Sequence, residues 1–275
     1  MKTDQRALDT ASLNGLAAVA ITLALLLMSA LAYWADERML NDISVWSKPM
    51  KFNLSFALHM VTMVWLWQLI APAVRDRRAA QWLLPLAALS SLAELLYISL
   101  QAARGRHSHF NFDTPLEYYL YYGFMGGAAF LIVGLTFCQG LLVWRYPRGP
   151  LGRGLHAGAA LGLTLGAVAT LVTAGALASG ALGAPGHWVG AVRSDAAGLP
   201  LLGWSTTGGD LRVPHFFATH LTQALPLLGW LADRGQAARA DRWVWAGAGL
   251  GVAIVIATFV QAASGIALLT WVLTS

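Results

Sequence analysis

Seven stretches of this chain are each long and apolar enough to cross a hydrocarbon layer, which takes about 18 or more predominantly apolar residues in a row. They run Leu13–Trp34, Phe52–Val74, Ala80–Ala102, Tyr118–Trp144, Leu155–Ala184, His215–Ala232 and Trp243–Thr274. Only 11% of the 275 residues are charged, against roughly 25% in a soluble domain. The charges lie in the short segments between the apolar runs. This excludes a soluble globular enzyme, a disordered chain and a coiled coil. The expected fold class is all-α: one polytopic domain, 1–275, with seven transmembrane helices in a lipid bilayer.

Lysine and arginine set the expected orientation. One side carries Lys2, Arg6, Arg75, Arg77, Arg78, Arg145, Arg148, Arg153, Arg234, Arg239 and Arg242. The other carries Arg38, Lys48, Lys51, Arg104, Arg106, Arg193 and Arg212. The richer side is expected in the cytoplasm, with the N-terminus in and the C-terminus out. Most tryptophans fall near predicted span ends, as an interfacial belt requires. The first span reads as a retained anchor, since its apolar stretch is longer than the core of most cleaved signals. Gly158, Gly162 and Gly166 recur at four-residue spacing, which places them on one face where another helix backbone can approach closely.

Several function classes fall away. The one cysteine, Cys138, permits no intrachain disulfide framework, C-x-x-C pair or cysteine-bound cluster. No nucleic-acid-binding motif is present, and the net charge of +5 is spread over several loops. Neither a P-loop, G-x-S-x-G nor H-E-x-x-H occurs. No lysine lies within a span, as a retinal Schiff base would require. The inner halves of the spans hold almost no charge, which argues against a through-pore.

The remaining polar residues converge in expected height. At 1.5 Å per residue, His59, Glu94 and His220 lie about 10, 12 and 8 Å below the outer boundary. His109 and His215 stand at the rim. Ionisable groups inside a membrane are expensive, so a shared depth makes them candidates for a site. Neutral imidazoles ligate haem iron and transition metals. His59 and His220 are the first expected pair for a haem b or a metal ion, used in electron transfer or sensing, with His109 and His215 as further ligands. Lys48, Lys51, Arg104, Arg106 and Arg212 are the rim cations that would hold haem propionates, or equally a lipid phosphate or a quinone-like head. A second expectation is a hydrolase or transferase acting on a lipid or small amphiphile, with zinc or with Glu94 and a histidine as an acid–base pair. A third is a non-enzymatic binding or assembly protein. His156 and His187 read as bystanders, and the oligomeric state is left open.

The segments Trp46-Ser-Lys-Pro-Met-Lys-Phe52, Arg104-Gly-Arg-His-Ser-His-Phe-Asn111 and the run from Leu201 to Phe216 resemble segments of an uncharacterised bacterial multi-pass membrane protein family. The resemblance covers most of the chain. It implies a bacterial inner membrane and no activity, ligand or catalytic residue.

Overall fold

The computed structural model describes residues 8–183, 186–196 and 198–274. Lys2 and Arg6, which entered the charge comparison, and Ala184, the expected end of the fifth span, lie outside them. The chain is mostly helical: α1 (Thr10–Ala35), α2 (Ser47–Trp67), α3 (Pro72–Arg75), α4 (Arg78–Gln81), α5 (Leu83–Ala103), α6 (Pro115–Tyr119), α7 (Gly126–Arg145), α8 (Arg153–Ser179), α9 (Arg212–Arg234), α10 (Ala240–Ala263) and α11 (Leu268–Thr274). A π-helical turn, Leu120–Met125, joins α6 to α7. Four two-residue strands form two small ladders, β1 (Met39–Leu40) with β2 (Ile43–Ser44) and β3 (Trp188–Val189) with β4 (Gly209–Asp210).

Five helices are long and apolar enough to cross a membrane, namely 10–35, 78–103, 115–145, 153–179 and 240–263. This is the architecture of an integral membrane protein. α2 and α9 have similar length but carry Asn53, His59 and Thr62, and His215, His220 and Gln223, which dilute their apolar character. Two expected spans end early. α2 stops at Trp67 because the chain turns toward Pro72, and Ala71 N–H then bonds the carbonyl of Tyr146 at 2.9 Å. The last span breaks after Ala263, where Gly265 takes φ +73°, a left-handed turn that glycine adopts without penalty.

Interhelical bonds show that alternate connections gather at opposite ends of the bundle. At one end Arg38 bonds the carbonyl of Ala103, Asp195 N–H bonds that of Asn41, and Tyr122 bonds that of Ala178. At the other, Arg148 N–H bonds the carbonyl of Leu69, and buried Arg75 pairs with Asp9 at 2.7 Å. Asp9 also caps α1 and accepts from Trp67, so a single carboxylate fastens α1 to α2 and α3. We call these the long-loop and short-loop ends.

α8 and α9 pack backbone to backbone. A Cβ on Gly158 would collide with the carbonyl of Leu225, and one on Gly154 with that of Gly229. Asp233 of α9 accepts from Gly154 N–H at 2.9 Å and Leu155 N–H at 2.7 Å, satisfying donors at the start of α8 and opposing its dipole. Between two helices in lipid, such close contact supplies dispersion that hydrophobic transfer cannot. Gly158→Ala is expected to lower stability by roughly 1–3 kcal/mol, as overpacking does. Gly249→Ala, inside α10 where a Cβ meets nothing within 4 Å, is expected to raise it by about 0.5–1 kcal/mol, the helix preference of alanine over glycine. Thermal unfolding in detergent compares the two.

Candidate functional site

The polar side chains of interest collect at the long-loop end. The first turn of α2 brings Lys48, Lys51 and Phe52. The 104–114 connection brings His107 and His109. α9 begins with Arg212 and His215. Described residues between α8 and α9 add His187, Asp195 and Asp210, of which Asp195 and Asp210 pair with Arg212.

Four of the five expected rim cations are already committed. Arg212 bonds both Asp210 oxygens, through Nε at 3.0 Å and Nη2 at 2.7 Å, and also Asp195 at 3.0 Å and the carbonyl of Gly203. Burial pulls the Arg212 pKa down, but the bonds and charges of Asp210 and Asp195 outweigh it and hold the guanidinium above its ordinary value. Arg106 pairs with Asp113 at 3.1 Å and with Glu117 at 3.0 Å. Arg104 bonds Gln101 at 2.8 Å and lies 4.0 Å from Glu117. Lys51 donates to the carbonyl of Leu202 at 3.1 Å. Lys48 alone makes no hydrogen bond or ion pair to a described residue. Its ammonium stands 5.7 Å from the Phe52 ring centre, and its charge acts on His107 and His109.

The histidines divide. His109 is ringed by Phe52, Phe110 and Tyr121 at centroid distances of 5.4, 6.4 and 5.7 Å, with Nδ1 3.1 Å from the Ser108 hydroxyl. His215 lies near enough for a charge on it to act on His109. Its Nδ1 is 3.0 Å from Thr173 Oγ1. Thr173 Oγ1 also lies within hydrogen-bond distance of the carbonyls of Ala169 and Thr170; when its single hydrogen goes to one of these, His215 Nδ1–H donates and Nε2 keeps a lone pair. Burial, then the Lys48 and His215 charges, hold His109 well below its ordinary pKa. Lys48 and His215, from two segments distant in sequence, thus both lie within electrostatic reach of His109, and we call this cluster the Lys48 pocket.

The expected His59–His220 pair is not formed by these contacts. His59 Nε2 bonds Thr136 of α7 at 3.2 Å. His220 Nδ1 donates within α9 to the carbonyl of Phe216 at 2.7 Å, and its ring lines a groove beside α10. Glu94 is 4% exposed, and its Oε1 has no partner among the described residues. It therefore forms no acid–base pair with an imidazole there. Among the described residues no three His, Cys, Asp or Glu side chains gather as they would around one metal ion. The zinc set of His59, His220, Glu94 and a rim histidine does not converge, because the helices turn these groups toward different neighbours. No family model, curated protein or solved structure matches the chain.

Sequence reasoning missed Ser108 and Thr173, which aim the two imidazoles. It also missed Asp195, and it treated His187 as a bystander, although His187 lies 3.7 Å from that carboxylate. None of these has a local motif; only the tertiary fold assembles them.

Burial, then the charge of Arg212, depress the Lys48 pKa to about 7. The unfolded chain therefore binds more protons than the native one between about pH 7 and the ordinary lysine value, and stability rises with pH across that window. Lys48 thus costs stability at neutral pH. Lys48→Met is expected to raise the Tm at pH 7 and to flatten its rise between pH 7 and 9, read by thermal unfolding in detergent.

Proposed function

We propose that this is a bacterial inner-membrane protein that crosses the bilayer seven times. In this reading α2 and α9 cross within the shelter of the more apolar helices, and the long-loop end faces outward. Lysine and arginine counts support that orientation. Alkaline phosphatase fused after Thr274 is expected to be active, and fused after Arg148 inactive. The reverse pattern would overturn the orientation.

The pocket is read as a binding site for the head of an amphiphile that carries an anionic oxygen. One observation carries this: a half-buried ammonium, Lys48, acts on the His109 imidazole and makes no ion pair with a described residue, while Asp195, the carboxylate whose charge reaches it, is paired with Arg212. An isolated charge removed from water is costly unless it is paired. A ligand oxyanion supplies the missing partner. The His215 Nε2 lone pair accepts a hydroxyl from the same head, as a singly protonated phosphate monoester offers. No covalent step is required, so this is a binding protein, and lipid phosphates and free phosphate share the chemistry. The transferase reading has no reacting pair to support it.

The haem or metal reading draws on a different observation, the hydroxyl-oriented imidazoles His109 and His215. It needs a lone pair on Nε2 of both rings, and it places a cation beside Lys48, which Coulomb repulsion disfavours. It remains the second reading.

The test is calorimetric titration of the detergent-solubilised protein with dihexanoyl phosphatidic acid, dihexanoyl phosphatidylcholine and inorganic phosphate. Phosphatidic acid is expected to bind, and Lys48→Met to weaken it at least tenfold. Inorganic phosphate binding as tightly would identify the free ion as ligand. Because the free Lys48 value is about 7 and a bound anion raises it, affinity is expected to fall above pH 7, by up to tenfold per unit. No binding by either phosphate overturns the reading. A Soret band or stoichiometric iron, copper or zinc in purified protein would favour the metal.

A further inference from the structure

A second feature lies on the other side of α9. Phe217, His220, Leu221, Ala224 and Leu228 face Gly247, Leu250, Gly251 and Ile254 of α10 across a groove of about 220 Å³. Gly247 and Gly251 let α10 lie close, since a Cβ on either would strike Leu228 or Leu221. Apart from the His220 ring, every side chain named is apolar.

His220 is held in a defined state. Its ring lies against Phe216, with centroids 4.0 Å apart. The Phe216 carbonyl can only accept, so Nδ1 carries the hydrogen and Nε2 presents a lone pair. No described residue bonds Nε2. His220 is half-buried, so its Nε2 is open to whatever occupies the groove and can accept a hydrogen bond from it. His220 also sits near the long-loop end of the groove, five residues past His215 and about 8 Å along the helix. Ala224 and Leu228 follow deeper. The groove is therefore polar at its shallow end and apolar below.

We infer that the groove between α9 and α10 binds an apolar molecule with a terminal hydroxyl, the hydroxyl donating to His220 Nε2 and the chain running toward Leu228. A carboxylate or phosphate does not suit this end, because an anion would meet a lone pair. Nor does a plain hydrocarbon, which leaves Nε2 unsatisfied. This site shares no residue with the Lys48 pocket.

The test uses protein with ¹⁵N-labelled histidine in phosphatidylcholine nanodiscs, with 1-dodecanol and its methyl ether as probes. The ether has the same chain and no donor. The His220 Nε2 resonance is expected to move with the alcohol and not with the ether. A diazirine-bearing dodecanol is expected to label groove residues such as Leu221 or Leu250 and to be displaced by dodecanol. His220→Phe is expected to cut that labelling about tenfold, the ratio supplied by one buried hydrogen bond. His220→Gln, which keeps an acceptor, is expected to retain most of it. Equal effects of alcohol and ether, or undiminished labelling of His220→Phe, overturn the inference. Should the Phe variant not fold, the alcohol–ether comparison on the wild-type protein decides alone.

Discussion

The Arg212 guanidinium organises the long-loop end. It stands at the first residue of α9 and reaches two carboxylates, Asp210 two residues before it and Asp195 in the middle of the long connection. Asp210 in turn accepts from the backbone of Ser205. A charge-assisted network with bidentate geometry is worth more than isolated surface ion pairs. Its consequence reaches beyond stability. By pairing with Asp195 and Asp210, Arg212 leaves Lys48 with no ion pair to a described residue, although the Asp195 charge still reaches it. In the proposed reading, a preference for negative charge arises because another cation has already paired with the acids.

This arrangement sets function against stability. A chain selected only to fold would replace Lys48 with an apolar residue or give it an acid. It does neither, and the native state carries an amine whose charged form burial disfavours. Sites that break a local rule with no structural gain are where function is expected to reside. Glu94 breaks the same rule, with a buried carboxyl oxygen that lacks a partner.

The helices were legible in the sequence because long apolar runs need no tertiary information. Gly158, Gly162 and Gly166 were legible as a close-packing face for the same reason: their spacing is a property of one helix, and α9 indeed lies against it. The break after Ala263 was missed because the apolar run continues through Leu268–Thr274, and only the backbone turn at Gly265 ends the helix. The site was legible in part. Depth along a helix placed the polar residues at a common height, but height says nothing of azimuth. His59 turned toward Thr136 and His220 toward α10, whereas His109 and His215 met. Charge counts identified five rim cations and could not say which four the protein itself would occupy.

Azimuth also explains why α9 is the most polar of the long helices. His215 and His220 are five residues apart, about 140° around the helix axis. They cannot serve one ion, and the structure gives each its own surroundings: Thr173 and His109 for one, the α10 groove for the other. Packing against α8 through glycine takes up a third face, along which Leu225 and Gly229 touch backbone. A helix with one face buried against a neighbour's backbone has two flanks left. In α9 each flank holds one imidazole whose Nδ1 is bonded and whose Nε2 is not. The polarity that keeps α9 below the hydropathy of its neighbours is thus divided between two places on one helix, close enough for a charge on His220 to be felt at His215.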